Sequence, residues 1–366
     1  MLELLVLAPG LVHFTIPLAY YTYLKGCLRR PWNIKVDEGY LPTVTVIVPT
    51  YNEAALILNR LENMNQQDYP RELVKVIVVD SSDDGTADAV EKWSKTNHDM
   101  NLKLVREKDR RGKLHALDLA LKHVSKDCGV VVFTDADVVW EPKALRKAVS
   151  YLADSSVGAV TARIMYTGIE DSFLEDTYRD YYNIIRIAES KVHSTPVHNG
   201  PFLAVRAKLL HEMGLPMFLG SDDSAFGSFI AFMGYRAIEA DDITVREPMR
   251  GSQVLRKIRR SQHLLLNFFT SKRYTKERGL YKDSSFDRIW KIEWWLHVVN
   301  PWFLLISTTF LVVDVTLFRS MLSLSLLTIG VALLVLKTFR MWILQQLYLM
   351  VAVVRNLWTK EVMWKK

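Results

Sequence analysis

GVVVFTDADVVW, residues 129–140, joins an uninterrupted apolar run to two carboxylates one residue apart. GVVVF is too short for a helix and rich in β-branched residues, so it predicts a strand buried on both faces. Alternate residues of a strand point the same way, and Asp135 and Asp137 are therefore expected to face one side together. Two like charges there repel unless a cation sits between or beside them. Taken alone, the stretch suits a pair of turn-forming aspartates as well as a metal site.

The pattern recurs upstream. TVTVIVPTYNE (43–53) predicts a strand ending at Pro49 and a helix from about Glu53. VKVIVVDSSDDGTADAVEKW (74–93) predicts a strand with Asp80 at its carboxyl end, then a turn and a helix. NLKLVREK (101–108) predicts a third strand and residues 129–133 a fourth. Strands alternating with helices about a dozen residues long mean βαβ units and a mostly parallel α/β sheet. Ligands of such sheets bind outside the carboxyl ends of the strands. Here those ends carry PTYNE, DSSDDGT and TDAD, three polar clusters on one rim.

In their order and spacing, these segments resemble family-2 glycosyltransferases, the GT-A-fold group that includes cellulose, hyaluronan and dolichyl-phosphate-sugar synthases. The resemblance covers about residues 43–262. It implies that Pro49, Tyr51 and Glu53 hold the donor's base and ribose and that Asp80 contacts the base. RRGKLHALDLAL (110–121) is similar to the family's GKxxALN, which sets Lys113 near the diphosphate, with Asp118 in place of the Asn. Asp137, with Asp135 through the sugar or a water, would hold a divalent cation bridging that diphosphate. An all-oxygen site suits Mn²⁺ or Mg²⁺.

LGSDDSAFGSFIAFMGYR (219–236) resembles the segment that opens the helix carrying the family's base, which points to Asp223 as base and places Asp222 on the acceptor side. By themselves the two aspartates also suit an N-cap. HNGPFLAVR (198–206) lies where the family lines its acceptor pocket, so Asn199 and His198 are acceptor candidates. By itself, His198 reads more readily as a satisfied loop histidine. EPMRGSQVLRKIRRSQHLLLNFF (247–269) resembles the gating motif QxxRW in either of two registers. One sets Gln253 and Arg256 against Gln and Arg; the preferred one uses Arg256, Arg259 and Arg260. Neither has the tryptophan, which argues against a processive synthase. The arginines suit a diphosphate clamp, and equally a basic stripe on anionic lipid.

The 366 residues are 49% apolar and carry a net charge of +7, with the greasiest stretches near the two ends. Basic residues cluster beside those stretches, which favours a membrane surface over nucleic acid. Cys27 and Cys128 make no metal-ligand spacing. The expected organisation is a transmembrane helix over 1–26, a cytoplasmic GT-A domain over 40–250, interfacial helices over 251–292, a transmembrane hairpin over 293–336, and an interfacial helix, with a further span as the alternative, over 337–366. Lys25, Arg29, Arg30 and Lys35 after the first span, and the basic run 271–291 before the hairpin, set the catalytic domain in the cytoplasm of a multi-pass protein of the cell membrane. Residues 171–192 carry an apolar face at helical spacing, suited to core packing or to the interface.

The expected reaction is inverting, non-processive transfer of a hexose from a nucleotide sugar to a lipid-linked glycan. GDP-mannose is the donor expected by analogy, with UDP-sugars behind it. A polyprenyl-phosphate sugar synthase and a processive polysaccharide synthase are the alternatives. A phosphatase of the haloacid-dehalogenase type would leave PTYNE unexplained. A non-catalytic membrane scaffold has no use for the retained carboxylates.

Overall fold

The computed structural model describes residues 2–167, 173–214, 222–248 and 253–359. After helix α1 (Leu2–Cys27), strands β1 (Val44–Thr50), β2 (Val74–Asp80), β3 (Asn101–Arg106) and β4 (Val130–Phe133) alternate with helices α2 (Ile57–Asn65), α3 (Thr86–Ser94) and α4 (Lys113–Leu121). There follow β5 (Val139–Trp140), α5 (Ala144–Tyr151), β6 (Val157–Thr167), α6 (Phe173–Val192), β7 (Leu203–Arg206), α7 (Ala207–Met213), α8 (Asp222–Phe232) and β8 (Arg236–Pro248). The remainder is helical: α9 (Gln253–Glu277), α10 (Phe286–Trp294), a π-helical turn (Trp295–Val299), α11 (Asn300–Phe318), α12 (Met321–Leu333) and α13 (Lys337–Asn356).

The strands form one sheet in the order β3-β2-β1-β4-β7-β6-β8-β5. β3, β2, β1 and β4 run parallel, as the βαβ pattern predicts, and β7 then enters antiparallel between β4 and β6. Strands that read as continuous apolar runs bury both faces. Val46, Val48, Val76 and Val78 pack beneath α2 and α5, while Ile47, Ile77, Phe133 and Val205 pack against α4, α7 and α8. The Phe133 and Phe226 rings stack with centroids 5.0 Å apart, fixing α8 over the end of β4.

Two local expectations need correction. The helix predicted from Glu53 starts at Ile57, because Asn52 turns into the left-handed region (φ 54°) and a turn precedes the helix. β4 stops at Phe133, so Asp135 and Asp137 lie in the following loop and turn rather than on one face of a strand.

α6 packs against β8, β6 and α1, which makes it a core-packing helix along Ile185 and Ala188. α1 runs along α11, and α13 along α9 through Leu349, Ala352 and Leu265. By length and apolarity alone, Phe286–Phe318, 33 residues, is long enough to cross a bilayer among the described residues. A second such unit exists only if α12 and α13, bent by 103° at their junction, are one broken span. α12 has 13 residues, about 20 Å of helix, against the ~30 Å of a bilayer core, so the expected hairpin lacks a full second arm. Asp314 is buried and accepts a 2.6 Å hydrogen bond from Ser323, which ties α11 to α12.

Candidate active site

The parallel strands deliver their polar ends to one rim. Asp80 ends β2, is 3% exposed, and accepts hydrogen bonds from Thr50 Oγ1 and Ser82 Oγ, both 2.6 Å. Pro49 lies beside it at the end of β1, paired in register with Val79. The Tyr51 ring carries the Arg110 guanidinium 3.6 Å above its centroid, a cation–π contact at the mouth of the β1–α2 loop. The Glu53 backbone N–H donates to Thr86 Oγ1 (2.9 Å), linking this loop to the start of α3.

Lys113, first residue of α4, reaches Asp135 with Nζ 3.0 Å from Oδ1. Burial would raise the Asp135 carboxyl. The Lys113 ammonium, with Arg260 and Arg256 beyond it, outweighs burial and holds Asp135 below the ordinary carboxylate range. Beneath the loop, Arg60 is 1% exposed and stacks 4.1 Å over the Trp140 ring. Its guanidinium donates to Thr134 Oγ1 (2.9 Å) and lies in the field of Asp135 and Asp137. Burial pushes Arg60 down to about 9, and the two carboxylates act against that.

Gly200 brings the base candidate to this group. A Cβ built there would sit 3.2 Å from Asp223 Oδ2 and 3.5 Å from Lys113 Nζ, so Asp223 and Lys113 converge over this glycine and a side chain there would crowd the Asp223 carboxylate. Asp223, in the first turn of α8, lines the same cavity as Lys113 and Asp135. The Asp222 side chain lies outside the described residues.

His198 and Asn199 also line this cavity. Asn199 is fully engaged: Arg186 Nη1 donates to its Oδ1 (2.7 Å), and its Nδ2 donates to Glu239 Oε2 and Ala162 O, each 2.9 Å. His198 is 3% exposed, and among the described residues neither ring nitrogen has a hydrogen-bond partner. Burial, then the Arg186 charge, pushes it down to about 3, so the ring is neutral. It lies against the backbone of α8 at Gly227, where any Cβ would collide with the imidazole.

Across the cavity, Arg256 pairs with Glu247 at the end of β8, and Arg260 donates to Glu247 Oε1 (2.9 Å) and Tyr166 Oη (3.0 Å). One turn apart, both arginines line the cavity with Lys257; Arg259 does not. The Gln253 side chain is outside the described residues.

The cavity, about 180 Å³, continues toward the helical layer between α6, α10 and α13. Its lining there includes two carboxyls that sequence reasoning passed over, Glu189 and Glu293, hydrogen-bonded to one another. Glu189 accepts from Tyr20 Oη (2.7 Å) and Thr195 Oγ1 (2.8 Å), and His297 Nδ1 lies 3.2 Å from Glu293 Oε2. Burial first, then the Glu293 charge, raises Glu189 well above the ordinary carboxylate range. Arg60 and Glu189 did leave a signal. Each interrupts an apolar helical stripe, Arg60 between Ile57 and Leu61 and Glu189 beside Ile185 and Ala188.

Asp135 and Asp137 offer only oxygen donors, the chemistry of Mg²⁺ or Mn²⁺, and Asp135 faces the cationic groups that would flank a diphosphate. The residues present therefore fit a divalent cation with a nucleotide.

Residues 45–214 match the family described as Glycosyl transferase family 2. A mannosyltransferase from Pyrobaculum calidifontis, PcManGT, solved in complex with GDP-Man and Mn²⁺, superposes with a TM-score of 0.86 at 41% identity, covering 99% of this chain and 100% of that one. Glycosyltransferase AglE of Haloferax volcanii is 30% identical over 175 residues, 48% of this chain and 56% of its own length. A dolichyl N-acetyl-alpha-D-glucosaminyl phosphate 3-beta-D-2,3-diacetamido-2,3-dideoxy-beta-D-glucuronosyltransferase of Methanococcus voltae is 29% identical over 89 residues, 24% of this chain and 27% of its own. The chain thus spans about half or less of the length of these curated relatives. The full-length match to the Pyrobaculum enzyme, together with the rim of Asp80, Lys113, Asp135 and Asp223, makes the chain a glycosyltransferase of family 2.

Proposed function

We propose that the chain transfers mannose from GDP-mannose to a lipid-linked glycan, with inversion and one sugar at a time. The observation that carries this reading is the convergence of Asp223 and Lys113 over Gly200, in a cavity that also holds Asp135. Lys113, Arg256 and Arg260 bind the diphosphate, and Tyr51 with its Arg110 partner holds the nucleoside end. Asp135 and Asp137 would hold Mn²⁺ or Mg²⁺, which when bound supplies positive charge to the departing nucleoside diphosphate. Asp223 takes the proton from an acceptor hydroxyl as that oxygen attacks the anomeric carbon from the face opposite the diphosphate. Displacement from that face inverts the centre. The other readings lose ground on particular points. A phosphate acceptor has no proton for Asp223 to remove, and a processive synthase lacks its stacking tryptophan at α9.

The donor follows the Pyrobaculum structure, and the lipid carrier follows the dolichyl-linked substrate in the Methanococcus enzyme's name. A lipid acceptor suits a multi-pass chain of the cell membrane held through Phe286–Phe318, its catalytic domain cytoplasmic beside the basic stretches. The test is a transfer assay with GDP-mannose and UDP-sugars, with and without Mn²⁺, offering a lipid-linked glycan or a bare polyprenyl phosphate. Transfer from GDP-mannose to the glycan, lost on chelation, is expected. Transfer to the bare phosphate alone would overturn the acceptor assignment.

A further inference from the structure

A second cavity, about 680 Å³, opens between α9 and α10 and shares no lining residue with the active site. Its charged lining is one-sided, with Lys272, Arg273, Lys276 and Lys291 against the single carboxylate of Glu277. Two of the cations are engaged elsewhere: Lys272 pairs with Asp287, and Arg273 lies 3.6 Å from Glu277. Lys276 sits 4.8 Å over the Tyr281 ring, and Lys291 is exposed with no acidic partner among the described residues. Trp290, Trp294 and Trp295 form the apolar side of the crevice.

Its depth follows from helix length. Phe286–Phe318 is 33 residues, about 50 Å of helix, whereas a bilayer core takes up ~30 Å. The excess must project from one end of the span. α10, with Asp287, Arg288 and Lys291, is the polar end, which sets the crevice at the level of lipid headgroups. Tryptophan beside lysine is the pairing that such a boundary favours.

We propose that this crevice is a binding site for the phosphate of an anionic lipid headgroup, with Lys276 and Lys291 as the phosphate contacts and the tryptophan wall taking the glycerol and first methylenes. The occupant is a lipid of the surrounding bilayer. Charge complementarity selects an anion, and the apolar wall selects one attached to a chain. The inference rests on the bilayer reading above, and it assigns the basic run 271–291 a role that the transfer reaction leaves open.

The test uses the full chain in detergent, given equal amounts of phosphatidylglycerol and phosphatidylcholine, with retained lipid counted by native mass spectrometry. Wild type should retain about one phosphatidylglycerol per chain in preference to phosphatidylcholine. Each lysine near a charged headgroup contributes roughly 1 kcal/mol, so Lys276→Glu with Lys291→Glu should lower that preference by about tenfold or more. Lys92→Glu with Lys95→Glu, exposed on and beside α3, reverses the same charge elsewhere and should leave it intact. Donor hydrolysis should be unchanged in both double variants. Equal loss in the two would reduce the effect to net charge and overturn the site. A Lys276/Lys291 variant that keeps its phosphatidylglycerol while its KM for a lipid-linked acceptor rises would overturn it in favour of the acceptor's own phosphate. Retention of neither lipid by wild type would overturn the bilayer reading as well, whereas retention of both without preference would overturn this inference alone.

Discussion

Asp135 and Glu189 line one cavity in opposite electrostatic settings. Around Asp135 stand an ammonium at 3.0 Å and the guanidinium groups of Arg256 and Arg260, and its carboxyl stays ionised despite burial. Around Glu189 stand a second carboxyl and two hydroxyl donors, and its proton stays on. Burial acts on both in the same direction, but the Asp135 side chain is 35% exposed and Glu189 only 1%, so depth of burial and the sign of the neighbouring charge together separate them. The first setting suits the handling of a polyanionic donor; the second suits a buried joint between α1, α6 and α10 that favours a neutral Glu189. A cavity with cations along one wall and a protonated carboxyl on another has a donor side and a side facing the membrane helices.

The strongest way to break this contrast is to neutralise the ionised side. Asp137→Asn and Asp135→Asn should each lower transfer by about 10³-fold or more and abolish Mn²⁺-dependent stabilisation by GDP, since several kcal/mol of charge stabilisation go with the cation. Unchanged Mn²⁺-dependent thermal shifts would remove these two from the metal assignment. Asp223→Asn should cost about 10²-fold or more in transfer while GDP affinity stays near wild type. If nucleotide binding falls with it, Asp223 belongs to the donor wall. Arg260→Ala should weaken GDP binding by roughly tenfold, as befits one charge-assisted contact, and titration calorimetry would read it. Glu189→Gln should have the smallest effect on activity, within about threefold, because the amide resembles the protonated acid it replaces.

The same contrast predicts two opposite pH slopes. Asp135 is held below its unfolded value, so its stabilisation is present above the ordinary carboxylate range and is lost as pH falls through the folded value. Glu189 is held above its unfolded value, so its stabilisation is present at low pH and is lost as pH rises through the folded value. Relative to wild type, Glu189→Gln should therefore gain Tm as pH increases and Asp135→Asn should lose it. Slopes of one sign, measured by thermal denaturation across pH, would dissolve the distinction.

The donor wall was legible because its residues sit within short motifs at strand ends, where chain order and spatial order coincide. PTYNE, DSSDDGT and TDAD needed only the parallel sheet to meet. Even there the local geometry differed: both aspartates of TDAD lie in the loop and turn after β4, and the Arg60 guanidinium on α2 lies in the field of both. The inner wall was illegible for a different reason. Glu189 and Glu293 are about a hundred residues apart and meet only when α6 and α10 pack; the interrupted apolar stripe beside Ile185 and Ala188 marks Glu189 but does not name its partner. The arginines of α9 fall between these cases. Their helix was readable, but which of them face the cavity depends on Glu247 and Tyr166, which pin Arg256 and Arg260 there.

The π-helical turn at Trp295–Val299 makes this part of the chain sensitive to length more than to composition. A π turn holds one residue more than the α-helical path, and each residue of an α-helix turns the chain by about 100°. Deleting a single residue between 295 and 299 would let α10 run straight into α11 with the phase kept, whereas a deletion within α10 would rotate everything downstream by that angle and draw it in by about 1.5 Å. α11 is apolar around most of its circumference and would tolerate the rotation on its outer side. The side facing α1 would not, because the Asn300 carbonyl, 3.0 Å from His13 Nδ1, would swing away. Among natural variants of this chain, single-residue deletions between 286 and 318 should therefore fall in the turn, and substitutions there should spare Trp295 and His297, which line the two cavities.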